Sequence, residues 1–242
     1  MGSLSLAKNQ STWKEISANS HEGFSYVSGM SNVMERAAAA AEAVTHGAWM
    51  PEPAALQPDC KFVTVDIETG GFAATDEVIQ LAAKCGDEEF SVFICPTKKF
   101  HPKATEATGF KLQNGQLFRR NRCIPTVPVA EACRKFLDFL SSCGDQIIIV
   151  GHNIIRFDFP RILKLLRQHG LAKEFLNLVF GMTDTMPLLK QGKMSKQEHL
   201  ADKYLTADEW QPYIRGAHDA LIDCKLLDGL LAHFKVTEAK LN

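Results

Sequence analysis

Four acidic side chains and one histidine, drawn from three remote stretches of the chain, are the residues best suited to chemistry. Asp66 and Glu68 close the run Phe62-Val63-Thr64-Val65-Asp66-Ile67-Glu68. Side chains alternate on a strand, so this pair shares one face while Val63, Val65 and Ile67 take the other. Paired carboxylates near a sheet repel and lose hydration, a cost that a hard divalent cation relieves through oxygen ligands. A water-facing strand end would explain the pair as simply. Asp158, in Gly151-His152-Asn153-Ile154-Ile155-Arg156-Phe157-Asp158, stands just before Pro160. Its plain structural role is a helix N-cap, its chemical one a ligand to the same cation. His218 and Asp223 follow in Ala217-His218-Asp219-Ala220-Leu221-Ile222-Asp223. On an ideal helix that spacing separates them by about 140°, so they reach one site only if His218 lies on the loop or first turn. An exposed histidine near a helix start is the simpler alternative. An imidazole that did reach the site would supply a base near neutral pH.

These residues need a sheet and helices to bring them together. Phe62 to Ile67, Val78 to Lys84 and Glu89 to Cys95 read as three strands of a β-meander, the last two joined at Gly86-Asp87. Pro128 opens a helix in which Val129, Ala132, Cys133, Phe136, Leu137 and Leu140 keep three-and-four spacing, and Gly144 ends it. Ile147-Ile148-Ile149-Val150 is continuously apolar, as in a strand buried on both faces. Pro160 starts a helix carrying Ile162, Leu165 and Leu166 that closes at Gly170, and a last helix runs from about Ala217 to Phe234. Ser195-x-x-Glu198 and Thr206-x-x-Glu209 read as helix starts. Strands first, then alternating helices and strands, predict an α/β domain with a mixed sheet and helices on its faces.

Before this domain the chain changes character. Residues 1–59 form an extension with a Ser-rich polar segment, an Ala-rich helix from Asn32 to His46, and a linker holding Pro51, Pro53 and Pro58. The domain itself spans 60–236, with a short tail at 237–242. Lys and Arg number 27 against 28 Asp and Glu, a net charge of −1 that excludes a polybasic coat for wrapping duplex. Nucleic acid, if met at all, is met at a local site. The 7 cysteines lack any C-x-x-C pair, which argues against a disulfide framework and a structural zinc site. No apolar run approaches a membrane span and the start lacks a secretory pattern, so an intracellular location, cytoplasmic or nuclear, is expected.

Asp66-Ile67-Glu68-Thr69-Gly70, His152-Asn153-x-x-x-Phe157-Asp158 and His218-x-x-x-x-Asp223 resemble, in order and spacing, the three exonuclease motifs of the DEDDh family of 3′→5′ exonucleases. The resemblance covers residues 61 to 235. Within the family the text is similar to the TREX-like DNA exonucleases, through His152-Asn153 and Phe157-Asp158-Phe159-Pro160. It is similar also to the exonuclease-like region of the promyelocytic leukaemia (PML) protein and its stand-alone relatives, through Phe136 to Ser142 and Met182 to Leu189. The Pro-rich insertion of TREX proteins is not seen. This resemblance implies a ribonuclease H-like five-stranded mixed sheet flanked by helices. It implies that Asp66, Glu68, Asp158 and Asp223 hold two Mg²⁺ or Mn²⁺ ions, with Asp66 bridging, and that His218 is the general base. It further implies that Thr69, Gly70, Gly71, His152 and Asn153 contact the terminal nucleotide of a DNA 3′ end. An RNA-directed enzyme, or a binding module that keeps the fold without turnover, remains open, as do strandedness and homodimer formation.

Lesser candidates surround these. Asp184 in Thr183-Asp184-Thr185 is a rival acid that the family pattern makes structural. Lys98, Lys99, His101 and Lys103, and Arg119, Arg120 and Arg122, either track phosphates or are solvated loop charge. Phe110 either stacks on a base or belongs to the core.

Overall fold

The computed structural model describes residues 13–15, 25–27, 49–51, 60–73, 75–237 and 241. The Ala-rich helix and most of the linker expected before residue 60 lie outside them. Strand β1 (Trp13–Glu15) pairs with β3 (Trp49–Pro51), while β2 (Ser25–Val27) lies on the edge of the main sheet.

The meander is present as β4 (Lys61–Thr69), β5 (Val78–Cys85) and β6 (Glu88–Phe93), antiparallel throughout. Between β6 and the first long helix lies an insertion that the sequence reading missed. It comprises helix α1 (Pro102–Thr108) and a three-stranded sheet of β7 (Phe110–Gln113), β8 (Gln116–Arg119) and β9 (Arg122–Cys123). Its turns are made at Asn114-Gly115 and Arg120-Asn121, all four residues at positive φ. Turns with two left-handed residues match the twist of paired strands. Phe110, Leu117 and Ile79 form its small core, so Phe110 is a fully buried packing residue rather than a base-stacking one.

Helix α2 (Val129–Cys143) runs from Pro128 to Gly144 as its spacing predicts, and β10 (Ile147–Gly151) is buried along its whole length. Helix α3 (Asp158–Gln168) begins two residues before the proline expected to open it. Then come α4 (Ala172–Leu178), β11 (Val179–Asp184), α5 (Met186–Leu189), α6 (Gln197–Tyr204), α7 (Gln211–Gly216) and α8 (Ala220–His233). The serine and threonine expected to cap helices do not. Lys196 and Ala207 occupy the cap positions before α6 and the short 3₁₀ turn Asp208–Trp210, without side-chain bonds.

The main sheet has the order β2-β11-β10-β4-β5-β6. Strands β4, β10 and β11 are parallel and the meander antiparallel, which gives the expected α/β class and five-stranded mixed sheet, with β2 added at its edge. One face packs Val63, Val65 and Ile67 against Phe136, Leu140, Ile162 and Phe175 of α2, α3 and α4. The other packs Ile148 and Val150 against Leu200 of α6 and Leu226 and Leu230 of α8. Each such side chain contributes about 1.5–3 kcal/mol by leaving water. Helix α8 crosses β4 and β5 on the face that carries Asp66 and Glu68, packing Ala220 and Cys224 on Ala82.

Candidate active site

The site is built at the end of β4. Across the ladder Asp66 faces Ala82 and Glu68 faces Gln80. A methyl opposite Asp66 leaves the space above it to whatever α8 delivers. Beyond Glu68 the chain turns tightly: the Thr69 hydroxyl donates to the Gly71 carbonyl at 2.6 Å, and Gly70 N–H donates to the Glu77 carbonyl. A Cβ on Gly71 would stand 2.2 Å from Asp76 Oδ2, so a larger residue there must push the Asp76 side chain aside. Phe72, directly after it, is 64% exposed, unusual for a large apolar side chain.

Asp158 is not an N-cap. Phe157 occupies the cap position of α3 without a side-chain bond, and Asp158 is the first helical residue, 3% exposed. Its carboxylate turns toward β4, where Oδ1 accepts from Ile67 N–H at 3.2 Å. It therefore sits against the backbone between Asp66 and Glu68.

His218 and Asp223 meet because His218 is on a loop. Helix α8 starts at Ala220, three residues later than expected, with Asp219 as the true N-cap accepting from Leu221 N–H. His218 takes a left-handed conformation, φ 66°, and its N–H donates to Asp223 Oδ2 at 3.0 Å. That turn cancels the angular separation a continuous helix would impose. Ligand atoms of Glu68, His218 and Asp223 lie within 4.8 Å of one another.

Two residues that the sequence reading did not place hold this loop. Arg119 of β8 pairs through Nη1 with Asp219 Oδ2 at 2.7 Å, and Nη2 donates to the carbonyls of Gly216, Ala217 and His218. It was a candidate phosphate contact, but its guanidinium is taken up in clamping the loop. Buried Gln80 donates to Asp219 Oδ1 and accepts from Ala220 N–H. Neither link has a local sequence signal. Glu198 of α6, noted in the sequence only as part of a helix start, places Oε2 3.2 Å from His218 Nε2.

The electrostatics follow from burial. Asp66 and Glu68 are held well above the usual carboxylate range, first by desolvation and then by neighbouring acids, Asp158 and Asp223 among them. Desolvation likewise pushes Asp158 up to about 8 and Asp223 up to about 7. Four carboxyls that push one another's protons on form one coupled group. Oxygen-rich, crowded and short of counter-charge, the cluster fits a hard divalent cation.

His152 and Asn153 stand apart from that cluster. His152 is held at both ring nitrogens, by Thr185 Oγ1 at 3.1 Å and the Ser195 carbonyl, and burial lowers its pKa. Asn153 adopts φ 64° and donates its N–H to Asp184 Oδ1. Asp184 also accepts from Met186 N–H, so this rival acid ties the loop after β10 to the start of α5. His101 caps α1, and Lys98 Nζ donates to the Thr75 carbonyl. All 7 cysteines are free thiols. Among the described residues no helix is long and apolar enough to cross a membrane.

Residues 60–205 match the family model described as the Exuperantia RNAse H-like domain. The maternal protein exuperantia of Drosophila virilis is 26% identical over 144 residues, which cover 54% of this chain and 30% of that protein. Its Drosophila melanogaster counterpart is 26% identical over 141 residues, 53% of this chain and 26% of that protein. The chain thus spans about a third or less of these relatives. Among solved structures, E. coli exonuclease I in its zinc-bound complex with single-stranded DNA superposes with a TM-score of 0.58 at 17% identity. The match covers 75% of this chain and 42% of that one. Another exonuclease I complex, with an oligonucleotide, gives 0.58 at 18% over 76% and 42%. The fold is therefore that of the ribonuclease H-like exonucleases. The family match ends before His218 and Asp223, so these two residues rest on geometry alone.

Proposed function

The chain belongs to the Exuperantia RNase H-like family, and from that premise we propose that it is a metal-dependent 3′→5′ exonuclease acting on DNA ends. One observation carries this reading: Asp66, Glu68, Asp158 and Asp223, from β4, α3 and α8, share a single crowded electrostatic environment beside His218. Residues 60–236 would be the catalytic unit, with 1–59 an extension and 237–242 a tail.

The four carboxylates would hold Mg²⁺ or Mn²⁺. When bound, a pair of such ions supplies charge stabilisation for the attacking and leaving oxygens of an in-line displacement. His218 takes the proton from the attacking water, and the Glu198 carboxylate beside its Nε2 stabilises the resulting imidazolium. Asp158 stays anchored on Ile67 N–H, which fixes one edge of the cluster. The Thr69-Gly70-Gly71 turn offers backbone to the terminal nucleotide, and His152 and Asn153 support the adjoining loop.

A 5′-labelled oligonucleotide incubated with protein and Mg²⁺ or Mn²⁺ should shorten to a ladder. Excess chelator should stop it, Asp223→Ala should abolish it, and His218→Ala should slow it by roughly 10²–10⁴. A ladder that survives chelator or Asp223→Ala would sink the metal mechanism. Paired DNA and RNA substrates settle the sugar preference. A second reading, a nucleic-acid-binding module of this fold, is favoured by the family match, which ends at residue 205 and so leaves out His218 and Asp223. It predicts retention of oligonucleotide without shortening, even in Mn²⁺.

A further inference from the structure

A cavity of about 220 Å³ opens beside His218, and none of the four clustered acids lines it. Arg120 and Arg215 stand at it, Glu198 shares it with His218, and Ile214 and Ala217 give it an apolar wall. Among the described residues neither arginine has a carboxylate partner. The one acid in the cavity is already engaged: Glu198 faces His218 through Oε2, and Lys196 and His199 through Oε1.

Arg120 is also held in an uncommon way. It sits at φ 47° in the turn between β8 and β9, a position that glycine or asparagine normally takes. Such a conformation is unfavourable for a bulky residue, and it persists where surrounding contacts enforce it. Those contacts are present. Arg120 N–H donates to the Gly109 carbonyl at 3.1 Å. The residue before it, Arg119, is bolted to the His218 loop through Asp219 and three carbonyls. Hairpin and loop therefore move as one piece, and Arg120 is presented to the same cavity as His218.

We propose that this cavity seats one nucleotide of the bound strand, with Arg120 and Arg215 gripping its phosphate and the apolar wall taking its sugar or base. The proposal rests on the nucleic-acid reading above and adds a contact for the strand outside the acid cluster. Guanidinium forks match phosphate oxygens in pairs, which suits arginine at both positions.

The test measures binding of a 5′-fluorescein oligothymidylate of about twelve nucleotides. It uses the full chain carrying Asp158→Asn, in Mg²⁺, so that binding is read without turnover. Adding Arg120→Gln and Arg215→Gln together should weaken binding about tenfold. Two arginines lost from one phosphate should also flatten the log–log salt dependence by about 0.7, the value for one phosphate on a single strand. Arg120→Lys should recover the salt slope but only part of the affinity. A surface-charge control at exposed Lys173 on α4, Lys173→Gln, should change neither. Thermal melts of all variants confirm folding. Equal affinity and equal salt slope in the double variant and its parent overturn the inference, as does a parent that binds no oligonucleotide. An intact oligonucleotide after incubation with the unmutated chain overturns the exonuclease reading, while leaving this binding comparison to be judged by its own result.

Discussion

Replacing Asp158 with asparagine should make the metal-free protein more stable at alkaline pH while removing its activity. The Asp158 carboxyl titrates near 8 in the folded chain against an ordinary 3.8, chiefly because burial strips its hydration. The folded state thus keeps a proton that the unfolded state has released across that interval. Stability is highest below the ordinary value and falls as pH rises through the window from about 4 to 8. A gap of roughly 4 units corresponds to on the order of 5 kcal/mol once pH reaches 8. That is a large part of the 5–15 kcal/mol typical of a whole domain, at about 1.4 kcal/mol per unit. Asp223, raised to about 7, and Asp66 and Glu68, also raised, act in the same direction. Because the four repel one another, their losses are shared rather than summed. The measurement is urea unfolding in chelator at a series of pH values, repeated with Mg²⁺. The parent should lose stability from pH 5 to pH 8 and regain it with the cation. Asp158→Asn should match the parent only below about pH 4, exceed it increasingly up to pH 8, and gain less from Mg²⁺. An amide keeps the acceptor for Ile67 N–H and carries no charge, so geometry is preserved. A parent whose stability is flat or rising across that window, or an asparagine variant as pH-sensitive as the parent, would refute the argument.

Two further outcomes follow from the same geometry. Arg119→Ala breaks a largely buried ion pair and strands three carbonyls at the His218 loop, so unfolding should ease by about 2–4 kcal/mol. Turnover should fall with kcat more than with KM, and lysine, which lacks the fork, should not restore it. Gly71→Ala drives a methyl into Asp76 Oδ2 and displaces it from Ala73 N–H. A KM rise for oligonucleotide with a melting temperature lowered by a few degrees is expected, at about 1 kcal/mol for one lost bond.

What could be read along the chain was whatever a periodic pattern writes locally. Alternation placed Val63, Val65 and Ile67 opposite Asp66 and Glu68, and the unbroken Ile147 to Val150 run marked a strand buried on both sides. The five-residue interval between His218 and Asp223 even stated its own condition, a loop at His218, which the left-handed backbone meets. Asp158 misled because an acid before a proline is the usual mark of a cap, and only the tertiary approach of β4 draws it away. The β7–β9 insertion was missed although Asn114-Gly115 is a strong hairpin signal flanked by short apolar strands. Arg119 was beyond local reading. Nothing near it in sequence tells that its partners lie about a hundred residues downstream.

Helix α8 is both a cover for the sheet and the bearer of Asp223, with His218 tethered to its first turn. A chain clipped between α6 and α8 would bare the buried methyl of Ala82 and the Leu226 and Leu230 contacts in the act of losing its acid and base. Silencing by cleavage and clearance by the cell's quality-control machinery would therefore arrive together, and a shortened product lacking this helix should be found only in aggregates.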